Sequence, residues 1–121
     1  MRSLSSLLLT GGAGFIGSTL VRKLLKRSEV ERLIVLDKFT YAGDRNHLVG
    51  PDHDSRLTIV EGDILDQSLT TRLIEEHQFT GVLNLAAESH VDRSIASTQE
   101  FALTNVIGAS SLLEICRLLK V

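Results

Sequence analysis

Apolar residues along this chain alternate between short unbroken runs and longer stretches with helical spacing. Leu7-Leu8-Leu9-Thr10 is the first unbroken run, and it ends at Gly11 and Gly12. A run with no polar alternation predicts a strand buried on both faces, because a strand wet on one face repeats with a period of two. Ile16, Leu20, Val21, Leu24 and Leu25 then recur at spacings that put them on one side of a helix. Leu33-Ile34-Val35-Leu36 predicts a second strand with Asp37 at its end, and residues 57–60 a third, followed by Gly62-Asp63. Asp66 or Ser68 can cap a helix running to about His77, and residues 82–85 predict a fourth strand. A last helix is expected over roughly residues 98–119. Phe101, Val106, Ile107, Leu112, Leu113, Ile115 and Leu119 form its expected apolar side.

Strands and helices in strict alternation predict an α/β fold: a Rossmann-type, doubly wound parallel sheet covered on both faces. The ordinary order for four such strands is 3-2-1-4. One domain is expected over residues 1–121, as the N-terminal half of a sheet that in its full form continues past the fourth strand. Strand four is then an edge with unpaired N–H and C=O groups, so a homo-oligomer, formed through that edge or by exchange of segments, is expected. A net charge of −2 argues against nucleic-acid partners and against a basic membrane-binding surface. The apolar stretch at residues 4–9 is too short to span a bilayer and lacks a signal-peptide cleavage pattern. Cys116 is alone, which suits a reducing compartment, and a cytoplasmic location is the expectation. No metal site is expected.

Thr10-Gly11-Gly12-Ala13-Gly14-Phe15-Ile16-Gly17 stands between the first strand and the first helix. It reads as G-x-G-x-x-G from Gly12 or as G-x-x-G-x-x-G from Gly11. Gly11 and Gly12 are expected to supply backbone angles that other residues avoid. Gly14 is expected to let the main chain approach a pyrophosphate resting on free N–H groups at the helix start, and Gly17 to let helix and strand pack closely. Glycine triplets alone are weak evidence; this one has the strand–turn–helix context the reading requires. Asp37 lies 20 residues beyond Gly17 and closes the second strand, where a carboxylate can accept from ribose hydroxyls. It would repel a 2′-phosphate, so NAD is the expected cofactor rather than NADP, although the neighbouring Lys38 can offset part of that repulsion. Gly62-Asp63-Ile64, after strand three, is placed for the adenine edge, or is a plain turn.

Asp37-Lys38-Phe39-Thr40-Tyr41-Ala42-Gly43 and Leu85-Ala86-Ala87-Glu88-Ser89-His90-Val91-Asp92-Arg93-Ser94-Ile95 are the most specific stretches. Together they closely resemble the dTDP-glucose 4,6-dehydratases, a branch of the extended short-chain dehydrogenase/reductases. The resemblance covers essentially the whole chain, but only the front part of the family's usual length. It implies NAD as cofactor and a nucleotide sugar, dTDP-glucose, as substrate. It also implies that Phe15 and Ile16 meet the pyrophosphate through their backbone N–H groups. Asp37, Lys38, Phe39 and Thr40 would then hold the ribose, and Asp63 and Ile64 the adenine. Leu85, Ala86, Ala87, Glu88 and Ser89 would line the nicotinamide side, Ser89 and His90 would reach the sugar nucleotide, and Thr104 would touch the cofactor. Asn105 matches the Asn that supports the active-site helix and its proton relay. Read without the family, Ala86-Ala87 means close packing, His90 an exposed loop residue, Asp92 and Arg93 a local pair or cap, and Asn105 a solvent-facing helix residue. Cys116 reads as packing rather than as a nucleophile.

In that family the sugar's 4-hydroxyl is oxidised by NAD, water leaves across carbons 5 and 6, and the hydride returns to carbon 6. The first step calls for a Tyr-x-x-x-Lys pair, and the elimination for an Asp-Glu pair. The single tyrosine, Tyr41, is followed four positions later by Arg45, and no Asp directly precedes a Glu. These 121 residues are therefore expected to be inactive alone. The alternatives are a nucleotide-sugar epimerase or decarboxylase of the same superfamily, and a non-catalytic NAD-binding or assembly module.

Overall fold

The computed structural model describes residues 3–40, 43–87, 99 and 102–121. The chain runs β1 (Ser6–Thr10), α1 (Phe15–Leu25), β2 (Arg32–Asp37), two short 3₁₀ turns (Arg45–Leu48 and Pro51–His53) and β3 (Leu57–Glu61). There follow α2 (Gln67–His77), β4 (Gly81–Asn84), a π-helical stretch (Leu103–Gly108) and α3 (Ala109–Leu118). The strands form one parallel sheet in the order β3-β2-β1-β4, as the alternation predicts. Leu8 stands at the sheet's centre, opposite Ile34 on one side and Val82 on the other.

Successive strand residues feed two cores, which is why the strands are continuously apolar. Leu7, Leu9, Leu33, Val35 and Leu57 pack with Val21 and Leu24 of α1. Leu8, Ile34 and Leu36 pack on the other face with Leu73 and Ile74 of α2 and with Leu112 and Ile115 of α3. Asp66, not Ser68, caps α2, by accepting from the Leu69 N–H at 3.1 Å.

Three expectations need correcting. β4 begins and ends one residue earlier than the apolar run suggests, leaving Leu85 beyond it and partly exposed. Ile16 is 70% exposed, because the buried stripe of α1 is Gly17, Val21 and Leu24, one residue out of phase with it. Val106, Ile107 and Leu113 are also exposed. The π-helical stretch has wider turns than the 3.6-residue period assumes, and adjacent positions such as Leu112 and Leu113 point about 100° apart. Phe101 lies outside the described residues.

Arg56 joins the end of α1 to the start of β3. Its guanidinium donates to the carbonyls of Leu25, Val30 (2.9 Å) and Arg27 (3.2 Å), and grips Asp54 through Nε (3.0 Å) and Nη2 (2.8 Å). A planar fork of donors suits this site, where one guanidinium reaches three carbonyls at and beyond the end of α1. The hydrogen bonds from Arg56 lower the Asp54 pKa from 3.8 to about 2. A lowered folded-state pKa adds stability that is fully present above the unfolded value and is lost as pH falls through the folded one. The urea midpoint of the unaltered chain should therefore fall more steeply between pH 3.8 and about 2 than that of Asp54→Asn. Parallel profiles over that interval would remove the clamp from the account of acid stability.

Candidate functional site

The turn after β1 is built on contacts a side chain would block. Gly11 has φ +73°, and a Cβ there would lie 2.6 Å from the Leu85 carbonyl carbon and oxygen. Gly12 lacks the positive φ expected of it. It must be glycine for another reason: a Cβ would lie 2.6 Å from Val35 Cγ1. At Gly17 a Cβ would come within 2.1 Å of the Gly11 carbonyl oxygen, so the first turn of α1 sits directly on the glycine turn. Gly14 is the N-cap residue, and among the described residues no side chain caps this helix. The first amides of a helix have no intrahelical acceptor, and here those of Phe15 and Ile16 follow an uncapped start.

Asp37, 8% exposed at the end of β2, ties this turn to the next strand. Its Oδ2 accepts from the Ala13 N–H at 2.9 Å and its Oδ1 from the Phe39 N–H at 2.8 Å. Phe39 takes a left-handed backbone, φ 56°, that non-glycine residues avoid. Its ring packs against the α1-side core and lies under the Arg45 guanidinium, 4.1 Å from the ring centre. Gly43 passes so close that a Cβ would lie 2.5 Å from Asp37 Oδ1. Lys38 pairs with Asp63 at 3.2 Å, and Arg45 faces Glu61 at 3.7 Å.

Across the cleft, Thr10 joins β1 to the chain leaving β4. Its buried hydroxyl donates to Asn84 Oδ1 and accepts from the Ala86 N–H at 3.3 Å, while its carbonyl accepts from the Leu85 N–H at 3.0 Å. Above β3, a Cβ at Gly108 would lie 2.7 Å from Ile64 Cδ1, so the π-helical stretch packs directly on Ile64.

These segments border an open cleft. Of the residues singled out from sequence, Gly11, Gly14, Asp37, Lys38 and Thr40 line it on the glycine-turn and β2 sides. Asp63, Ile64, Leu85, Ala86, Ala87 and Thr104 line it on the others. Phe15, Ile16, Gly17 and Phe39 do not; they open α1 or stand behind the wall. Asn105 follows Thr104 on the π-helical stretch without lining the cleft. Glu88, Ser89 and His90 lie outside the described residues, as do Tyr41, Asp92 and Arg93.

Sequence reasoning missed Leu36, Gly43 and Gly62 as lining residues, although Gly43 and Gly62 stand in the motifs it quoted. It also missed Thr10, Asn84 and His47, whose contacts join segments far apart in the chain. Cys116 is half-buried on α3, and burial pushes its thiol pKa up, which fits packing rather than nucleophilic chemistry.

A glycine turn at the start of α1, an acidic residue at the end of β2 and a cleft between β1 and β4, where the strand order reverses, define a Rossmann-type nucleotide-binding unit. The chain belongs to the family described as GDP-mannose 4,6 dehydratase, whose model matches residues 8–121. It is 49% identical over 110 residues to the dTDP-glucose 4,6-dehydratase of Xanthomonas campestris pv. campestris (strain B100), covering 91% of this chain and 31% of that protein. The dTDP-glucose 4,6-dehydratase DesIV of Streptomyces venezuelae, solved with NAD bound, superposes with a TM-score of 0.89 at 45% identity, over 96% of this chain and 37% of that one. A UDP-glucose 4-epimerase of Thermotoga maritima superposes with a TM-score of 0.85 at 33% identity, over 96% of this chain and 35% of that one. The chain thus spans about a third of the length of the relatives it matches.

Thr10→Val tests how the Leu85–Ala87 wall is held. Removing a buried hydroxyl with two partners should cost about 1–3 kcal/mol and speed hydrogen exchange at the Ala86 amide. Unchanged exchange at Ala86 would show that the wall is fixed by other means.

Proposed function

We propose that this chain holds NAD and forms the cofactor-binding part of a dTDP-glucose 4,6-dehydratase, an enzyme converting the nucleotide sugar to its 4-keto-6-deoxy form. One observation carries the reading: the glycine turn that opens the uncapped α1 and the Asp37 carboxylate border a single cleft, joined through Ala13. The residues fit the cofactor. Phe15 and Ile16 bring main-chain donors to the pyrophosphate, Gly11 and Gly14 let the main chain approach it, and Gly17 lets helix and strand pack closely. Asp37, with Lys38, Phe39 and Thr40 behind or beside it, takes the ribose. Each Asp37 oxygen accepts one backbone N–H and keeps a lone pair for a hydroxyl. Asp63 and Ile64 flank the adenine, and Leu85, Ala86, Ala87 and Thr104 the nicotinamide side, continued by Glu88 and Ser89. Ser89 and His90 reach the sugar nucleotide, and Asn105 supports the catalytic helix.

NAD is favoured over NADP because Asp37 repels a 2′-phosphate. Lys38 and Arg45 each face a carboxylate instead of offering free charge to such a phosphate. The chemistry NAD supplies when bound is acceptance and return of a hydride. This chain's residues orient it and keep its phosphates on fixed amides. The acid–base groups are another matter. With Tyr41 followed by Arg45 at the fourth position and no Asp-Glu pair, these 121 residues lack both, and each loss costs ~10²–10⁴-fold in rate. The 121-residue polypeptide accordingly binds cofactor without turnover. Higher identity to the dehydratase DesIV than to the epimerase favours dehydration over epimerisation. A cytoplasmic location and a homo-oligomer complete the proposal.

Calorimetric titration with NAD and NADP tests the cofactor assignment. NAD should bind more tightly, and Asp37→Asn should shrink that preference by about tenfold. Failure of the unaltered chain to bind NAD sinks the reading, as does an undiminished preference in Asp37→Asn. With dTDP-glucose and NAD present, the 121-residue chain should form no 4-keto product; measurable turnover would disprove its inactivity.

A further inference from the structure

Both backbone polar groups of Ala13 are held from outside the glycine turn. Its N–H donates to Asp37, while its carbonyl accepts from the Asp44 N–H at 3.1 Å and from His47 Nδ1 at 2.6 Å. A carbonyl can only accept, so His47 Nδ1 carries a hydrogen. His47 is not part of the cleft lining. It stands on the 3₁₀ turn Arg45–Leu48, which is itself firmly seated. Asp44 caps the turn by accepting from the Asn46 N–H at 2.9 Å, and Leu48, 1% exposed, belongs to the same core as Ala13.

We propose that His47 is a positioning residue for the pyrophosphate of the dinucleotide, acting through the Ala13 carbonyl. This rests on the dinucleotide reading above. The Ala13 carbonyl and the Gly14 N–H share one rigid peptide plane. Gly14 opens a helix that no side chain caps, so the orientation of that plane sets where the following amides of Phe15 and Ile16 point. Asp37 holds the residue from its N–H side and His47 from its carbonyl side. With the imidazole gone, the plane keeps only the Asp44 N–H on its carbonyl, at 3.1 Å, and the 3.3 Å hydrogen bond from the Gly14 N–H to the Gly11 carbonyl, and it tilts more readily. The ligand then meets donors it must first align.

A mere staple between two segments would lower stability and treat every ligand alike. The clamp instead discriminates by phosphate content. His47→Leu should weaken NAD and ADP by about tenfold and leave adenosine, which carries no phosphate, unchanged in competition titrations on the full 121-residue chain. His47→Asn, whose side-chain NH₂ can take the place of Nδ1–H, should recover most of the loss. Equal affinity of His47→Leu and the unaltered chain for NAD overturns the proposal. So does an equal loss for ADP and adenosine. If the unaltered chain binds neither NAD nor ADP, the dinucleotide reading falls first and takes this inference with it. Should His47→Leu fail to fold, long-range ¹H–¹⁵N correlation of the imidazole in the unaltered chain decides. Hydrogen on Nδ1 whose signal shifts on adding ADP but not adenosine supports the clamp; a bare Nδ1, or no such difference, overturns it.

Discussion

A carboxylate removed from water needs donors around it, and Asp37 obtains them from the backbone of two neighbouring segments. Serving it shapes everything nearby. The Phe39 amide reaches Oδ1 with the backbone in the left-handed region, a conformation made tolerable because the Phe39 ring is packed below and covered by Arg45. Gly43 must be glycine because Oδ1 occupies the place of its missing Cβ. The Ala13 amide points at Oδ2, which fixes the glycine turn relative to β2 and not merely to β1. The loop after β2 is thus folded around one charge, and the 44–48 segment is delivered against the turn as a consequence.

The sheet was legible because its strands are buried on both faces, leaving unbroken apolar runs that no solvated strand would show. Element ends were less so. Gly81 reads as a turn residue, yet it pairs within β4 opposite Leu7, where a Cβ would crowd Leu7 Cδ2 at 3.2 Å. The apolar Leu85 then looks like a strand residue although it has left the sheet. In the last helical segment a single period was assumed, and the π-helical stretch breaks it; no residue of Leu103–Gly108 announces that break.

The site divides the same way. Glycines at fixed spacing and an acid at a strand end can be read because the chemistry demands those residue types there. Thr10 with Asn84, 74 residues apart, and His47 with Ala13, 34 apart, are polar pairs whose partners only the fold brings together. A threonine ending an apolar strand and a histidine in a polar loop have nothing local to mark them.

The walls of the cleft are pinned by unlike means, and the difference bears on how it can hold a long ligand. On the β2 side a charged group organises backbone amides; on the β4 side a neutral hydroxyl bridges two strands; above β3 the contact is apolar, Gly108 on Ile64. Gly11 connects the first two, since its carbonyl supports Gly17 while the place of its missing Cβ is taken by the Leu85 carbonyl. A shift of the glycine turn therefore cannot be local: it presses on the Leu85–Ala87 wall on one side and pulls on Asp37 on the other. A rigid turn at the centre, gripped from both flanks, is what a dinucleotide needs if its two ends are to lie at fixed distances from each other.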